Sequence, residues 1–99
     1  MISKEQKDKW ITSLRSGEYK QTKNRLFSGR GYCCLGVFCK AVEGINLCRS
    51  REIVDMEENQ VHYKRLEILF PTDTLIIMND KGCKFPEIAD YIEANIPAE

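Results

Sequence analysis

Apolar residues near the start of this chain repeat with the spacing of an α-helix. They are Trp10, Ile11 and Leu14. These positions share one face and charged residues occupy the other, which predicts a helix over about residues 4–15. The stretch from Ser3 to Gln6 fits a capping box at its start, and Gly17 is placed to end it.

The C-terminal third contains two more segments with helical spacing. Thr72 is suited to cap a short helix that runs through Leu75 to Met78, and the polar turn at residues 79–82 ends it. Pro86 is suited to the first position of a final helix. The apolar residues on one face of that helix are Phe85, Ile88, Ala89, Ile92 and Ile96.

The most apolar run of the N-terminal half extends from Gly31 to Cys39. Helical spacing continues from it to a stop at Gly44. The apolar residues concerned are Cys34, Leu35, Phe38, Ala41 and Val42. Because the segment is apolar on nearly every side, it is predicted to be a buried central helix. Gly36 in its middle costs about 1 kcal/mol relative to alanine, which is tolerable where another segment crosses closely.

Strands are predicted in two parts of the chain. The Ser-Gly-Arg-Gly sequence at residues 28–31 is a turn signal, which predicts a β-hairpin with residues 26–27 opposite residues 32–33. Residues 52–56 and 61–70 have the composition of two further strands. The apolar phase changes within the second of these runs, so a bulge or break is expected there.

The composition is that of one small domain. The 99 residues are 42% hydrophobic and 30% charged, which allows a core without disulfide or metal staples. The predicted fold is a single compact α+β domain over residues 1–99. Its elements are an N-terminal helix, a β-hairpin, a buried central helix, two further strands and two C-terminal helices. Neither a transmembrane run nor a signal-peptide pattern is found, so a cytoplasmic protein is expected.

The formal net charge of zero conceals an uneven distribution. Residues 1–32 carry eight Lys and Arg against three Asp and Glu, a net charge of +5, and residues 33–99 carry seven against twelve, a net charge of −5. A basic N-terminal third favours an anionic partner, although an acidic face of the same molecule can also pair with it. Residues 18–32 interleave cations with aromatic residues, as phosphate-binding and nucleic-acid-binding loops do. A solvated surface is the alternative interpretation.

Nine residues are candidate ligand contacts. The basic side chains would hold an anion, the two tyrosines would offer stacking faces, and the amide and carboxylate groups would make polar contacts. The nine are Tyr19, Lys20, Gln21, Lys23, Arg25, Arg30, Tyr32, Asn79 and Asp80. The hypothesis requires the basic side chains to converge on one concavity.

Five cysteines and one histidine raise the alternative of a thiol or zinc-binding protein. The residues concerned are Cys33, Cys34, Cys39, Cys48, Cys83 and His62. Their spacing lacks the closely spaced pairs of Cys or His ligands that structural zinc sites use. No catalytic sequence motif that would pair a thiol with the histidine is present. We therefore expect buried thiols, with no metal, no cofactor and no enzymatic activity.

Three blocks of the sequence stand out together. They are Trp10-x₃-Leu14-x₂-Gly17-x-Tyr19-x-Gln21, Tyr32-Cys33-Cys34-Leu35-Gly36-Val37-x-Cys39, and Met78-Asn79-Asp80-x-Gly82-x₂-Phe85-x₂-Ile88-Ala89-Asp90-x-Ile92. With these blocks the chain resembles a group of short proteins encoded by tailed bacteriophages and some bacteria. The match follows the same order over most of the chain. The resemblance implies a phage origin and supplies no activity.

A phage origin favours certain functions. Small accessory phage proteins of this size are commonly binders that inhibit a host protein or sequester a small molecule, such as a defence signal. The expected function is therefore that of a non-enzymatic binder with an anti-defence role in the host cytoplasm, whose partner is a host protein or a nucleotide-like anionic ligand. Nucleic-acid binding through the basic third is the alternative. No membrane partner is expected, and a homodimer is compatible with exposed strand edges, which often pair.

Overall fold

Helices form the regular structure of this protein. The computed structural model describes residues 2–23, 25–47 and 57–99. The helices are α1 (Lys4–Arg15), α2 (Cys34–Val37, continued by a π-helical turn at Phe38–Val42), α3 (Glu57–Leu69), α4 (Asp73–Asp80) and α5 (Phe85–Asn95). Within the described ranges, none of these helices has the length and apolar character needed to cross a membrane.

The predicted α+β fold is wrong. Extended backbone among the described residues forms isolated bridges and no sheet. The bridges join Ile2 to Ala98, Gln21 to Tyr32, and Phe27 to Tyr32. The turn at residues 28–31 forms, since the Ser28 N–H donates to the Gly31 carbonyl at 2.9 Å. No hairpin grows from this turn because α2 begins at Cys34, before the chain can extend into a strand.

The strand predicted over residues 61–70 is also wrong, because nearly all of this segment lies in α3. Its buried and half-buried apolar side chains are Tyr63, Leu66, Leu69 and Phe70. They are spaced for one face of a helix. Val61 and Ile68, which contributed to the strand-like pattern, are 62% and 83% exposed. The strand predicted at residues 52–56 lies outside the described residues.

The N-terminal helix is confirmed, together with both of its predicted ends. The Ser3 hydroxyl accepts the Gln6 N–H at 3.1 Å, and the Gln6 Oε1 accepts the Ser3 N–H at 2.9 Å. This reciprocal pair is the predicted capping box. Gly17 follows the helix with a φ of +76°, a conformation that glycine adopts without steric strain.

The central and C-terminal helices are confirmed as well. Residues 33–39 are all buried, and Gly44 follows the π-helical turn with a φ of +70°. Thr72 precedes α4 as predicted, although its hydroxyl makes no capping bond and the helix extends to Asp80. The last helix begins at Phe85, so Pro86 is its second residue and lies one position later than predicted.

Trp10 of α1 lies at the centre of the core. Its ring centroid is 4.9 Å from that of Phe38 and 4.9 Å from that of Phe70. Its indole N–H donates to the Cys34 carbonyl at 2.9 Å. Helix α1 also packs along α5. Trp10 thus joins α1 to the start of α2 and to the segment that follows α3.

The chain segment before α2 crosses α2 at Gly36. A Cβ atom on Gly36 would lie 2.0 Å from the Leu26 carbonyl oxygen, far inside van der Waals contact. The same oxygen accepts the Cys33 N–H at 3.2 Å. The close crossing that makes a glycine tolerable at this position is therefore present, and this contact sets the position of residues 18–32 against α2.

Candidate ligand-binding surface

Residues 18–32 connect α1 to α2 and carry most of the candidate ligand contacts. The Tyr32 N–H donates to the Lys20 carbonyl at 2.8 Å, and the Tyr32 carbonyl accepts the Thr22 N–H at 2.8 Å. On its other side, Tyr32 is bridged to Phe27. Because extended backbone lies on both sides of it, Tyr32 is held in a defined position.

Three aromatic rings, those of Tyr19, Phe27 and Tyr32, form what we call the aromatic cluster. Phe27 and Tyr32 stack with their centroids 4.7 Å apart and their planes inclined by 24°. Tyr19 meets Tyr32 edge to face, at 5.5 Å and 84°. All three residues are half-buried, so they pack against the protein and keep part of their surface in solvent. Burial raises the pKa of Tyr19, with smaller contributions from the Glu18 charge and from Tyr32.

Cations surround the aromatic cluster in the sequence. Lys20, Lys23 and Arg30 are exposed, and Arg25 is half-buried. None of the three exposed cations forms a salt bridge with a residue that the structure describes. Their charges are therefore available for charge-assisted hydrogen bonds to an anion.

Gln21 and Asn79, two of the predicted contacts, hydrogen-bond to each other inside the protein. Asn79 is fully buried, and its Oδ1 accepts from Gln21 Nε2 at 3.0 Å and from the Cys34 N–H at 3.2 Å. Its Nδ2 donates to the Thr22 carbonyl at 2.8 Å and to Asp80 Oδ1 at 3.3 Å. These bonds use both donors and both acceptor positions of the amide. Asn79 therefore ties the loop to the start of α2.

The structure thus divides the predicted contacts between a surface and an internal network. At the surface of the loop, Lys20, Lys23 and Arg30 are exposed, and Tyr19, Arg25 and Tyr32 are half-buried. In the network around the buried amide are Gln21, Asn79 and Asp80. Sequence reasoning missed Phe27 as a site residue. Its place across the turn at residues 28–31 from Tyr32 was the signal that could have identified it.

His62, the one histidine of the chain, lies on α3 rather than on a strand. Arg65 Nη1 is 2.9 Å from His62 Nδ1, which acts as the acceptor because an arginine only donates. Arg65 Nη2 donates to Glu43 Oε1 at 2.5 Å. One ring nitrogen of His62 is therefore engaged in a link between α3 and the end of α2.

The cysteines among the described residues form no disulfide with one another. Cys33, Cys34 and Cys39 are buried and Cys83 is half-buried, while Cys48 lies outside the described residues. Burial raises the pKa of Cys34 well above its ordinary value and raises the pKa of Cys39 from 9.0 to about 12. In the part of the chain that the structure describes, no three His, Cys, Asp or Glu side chains form a group that could hold a metal ion. The thiol and zinc alternative draws no support from these residues.

The free energy of unfolding is expected to fall as the pH rises above the ordinary thiol pKa. An unfolded Cys39 loses its proton near pH 9.0, whereas the folded thiol keeps its proton up to about pH 12, so alkali favours the unfolded state over this interval. The slope approaches about 1.4 kcal/mol per pH unit for such a thiol. Urea unfolding of the wild type and of Cys39→Ala should give a shallower slope for the variant, and equal slopes would exclude this thiol as the cause.

Comparison with known proteins identifies a family. The model of a family described as "Domain of unknown function (DUF8296)" matches residues 2–71. This range includes α1, the aromatic cluster, α2 and α3. Neither the curated proteins nor the solved structures gave a match. Because the matched range covers most of the 99 residues, the chain belongs to the DUF8296 family.

Proposed function

We propose that this protein is a small non-enzymatic binding protein whose residues 18–32 take an anionic ligand. The observation that carries the proposal is the half-buried aromatic cluster, whose residues alternate in the sequence with exposed cations. Aromatic rings offer a contact surface to a flat group, and the cations offer charge-assisted hydrogen bonds to an anion. A nucleotide-like ligand combines both features.

The salt bridges found elsewhere in the described residues support this assignment. Arg15 is paired with Asp90 at 2.7 Å and with Glu93 at 3.5 Å, and Arg65 is paired with Glu43. Those arginines link one helix to another. Lys20 and Arg30 make no such link to a described residue. We therefore assign them to ligand binding rather than to the stability of the fold.

The state of Cys34, Cys39 and His62 supports binding rather than catalysis by these groups. Thiol catalysis requires a thiolate next to a base. The raised pKa values keep Cys34 and Cys39 protonated at neutral pH, and His62 is engaged by Arg65. These groups, as the structure arranges them, contribute to packing.

The resemblance to short phage-encoded proteins supports a biological setting for this activity. We place the protein in the cytoplasm of an infected host cell, where it sequesters a nucleotide-like anion and so counters a defence response. A host protein that presents an anionic surface to the same residues is the alternative partner.

The proposal predicts anion binding that weakens with salt. Calorimetric titration of the protein with ATP and with inorganic polyphosphate at about 50 and about 200 mM salt should show binding of at least one of the two, stronger at the lower concentration. Lys20→Ala and Arg30→Ala should each weaken binding and lower the salt slope by about 1. Lys9→Ala removes an exposed lysine of α1 and should leave the slope unchanged.

Two results would contradict this proposal. One is that ATP, polyphosphate and oligonucleotides all fail to bind at the lower salt concentration. The other is an equal loss of affinity in Lys9→Ala and in the two loop variants. Binding would then depend on the net charge of the protein and not on the position of Lys20 and Arg30.

A further inference from the structure

We infer that the anionic ligand is a single strand of nucleic acid, with a base on the aromatic cluster and phosphates at the cations on either side of it. This inference rests on the proposed binding function and specifies the class of ligand. It follows from the stacking geometry, from the fixed backbone beneath the rings and from the distribution of the cations.

The stacked pair of Phe27 and Tyr32 suits an unpaired base. The two rings are nearly parallel, with centroids 4.7 Å apart and planes inclined by 24°, and both keep part of their surface in solvent, so a third flat group can extend the stack. Tyr19 meets Tyr32 edge to face at 5.5 Å and completes the cluster. Such stacking requires no particular base sequence, because every base has a π-face.

The backbone beneath the rings is set before any ligand arrives. Hydrogen bonds with Lys20 and Thr22 hold Tyr32 on one side, and its bridge to Phe27 holds it on the other. The buried Asn79 amide also anchors Thr22. A surface organised in this way loses little conformational freedom when it binds, so more of the stacking energy appears as affinity.

The exposed cations come from two separate segments that meet at Tyr32. Lys20 directly follows Tyr19 in the sequence, and its carbonyl accepts the Tyr32 N–H. Arg30 lies in the turn at residues 28–31, whose two ends are bridged through Phe27 and Tyr32. The backbones of the two segments that carry these cations are therefore joined at Tyr32. Cations on two segments next to aromatic residues suit a chain of phosphates, as in single-strand binding proteins.

A duplex and a free mononucleotide fit these features less well. A duplex keeps the faces of its bases within its own stack, so it would use the rings only after the cost of extruding a base. A mononucleotide also joins a base to phosphates, but it carries them at one end only, whereas a strand offers phosphates on both sides of each base. A single strand uses the rings and both sets of cations together.

Two labelled strands with the same phosphates test the inference. One is a single strand of roughly 12 thymidines, and the other is a matched strand that lacks the bases. Fluorescence anisotropy should show that the complete strand binds at least about tenfold more tightly. Phe27→Leu and Tyr32→Leu should each remove most of this difference, whereas Tyr91→Leu, at a half-buried tyrosine of α5, should preserve it. Circular dichroism would show that each variant is folded.

The outcomes separate this inference from the proposed function. Equal affinity for the two strands, tighter binding of a duplex, or binding of ATP without binding of the strand would overturn the inference and leave anion binding in place. A Tyr91→Leu variant that loses as much as Tyr32→Leu would also overturn it. Failure of both strands, ATP and polyphosphate to bind would overturn the proposed function itself.

Discussion

Replacing Gly36 with alanine is expected to lower the free energy of unfolding by about 3 kcal/mol or more. The new Cβ would lie 2.0 Å from the Leu26 carbonyl oxygen and 3.3 Å from the Tyr32 Cβ. Either the segment at Leu26 or α2 must move, and the hydrogen bond from the Cys33 N–H to the Leu26 carbonyl is then lost. The gain in helix propensity, about 1 kcal/mol, is smaller than this cost.

Urea unfolding measures this effect, and Gly17→Ala is its control. A Cβ at Gly17 meets nothing within 4 Å, but the φ of +76° strains any other residue there. That variant should therefore lose about 1 kcal/mol, from backbone strain only. If Gly36→Ala proved no less stable than Gly17→Ala, the close crossing of the two segments would be incorrect.

Replacing Trp10 with alanine is expected to lower the free energy of unfolding by about 3–5 kcal/mol. The change removes a fully buried ring that contacts Phe38 and Phe70. It also leaves the Cys34 carbonyl without the indole donor that bonds to it at 2.9 Å. Since domains of this size are commonly stable by about 5–15 kcal/mol, the loss is a large fraction of the total.

Two further variants separate the contributions of Trp10. Trp10→Phe keeps an aromatic ring and removes the indole donor, so it should cost less than Trp10→Ala, with about 1–2 kcal/mol assigned to the hydrogen bond. Thr12→Ala, at an exposed position of α1, should change stability by less than about 0.5 kcal/mol. A loss below about 2 kcal/mol for Trp10→Ala would contradict its central place in the core.

The helices that the sequence predicts correctly are those whose signals are local. In α1, the capping box at Ser3 and Gln6, the apolar face and the glycine that follows all lie within a few residues of one another. The same holds for α5. Each signal depends on contacts inside one segment, so no knowledge of the rest of the chain is required.

The segment at residues 61–70 shows where local pattern fails. Val61 and Ile68 are apolar, and the prediction gave them the same weight as the residues of a buried strand face. In the structure both are exposed on α3, and the packing of Leu66 and Phe70 sets the helix face. Which apolar residues reach the core depends on distant parts of the chain, here Trp10 and Phe38.

The residues of the candidate site also differ in how far local sequence determines their surroundings. Interleaved cations and aromatic residues in one segment predict Tyr19, Lys20 and Tyr32 as surface contacts, and the structure leaves all three at least partly exposed. The partnership of Gln21 with Asn79 joins residues far apart in the sequence, so their chemical type suggested surface contacts whereas their positions make an internal network. Hydrogen bonds of this range are specified by the complete fold.

The proposed binding surface of residues 18–32 can be located residue by residue in solution. The experiment is amide chemical-shift mapping by ¹H–¹⁵N NMR, on the full chain titrated with polyphosphate and with the thymidine strand. We expect the largest shifts on the amides of Lys20, Arg30 and Tyr32, and little change on the amides of α3 and α5. Shifts concentrated on α3 or α5, with residues 18–32 unchanged, would contradict this proposal.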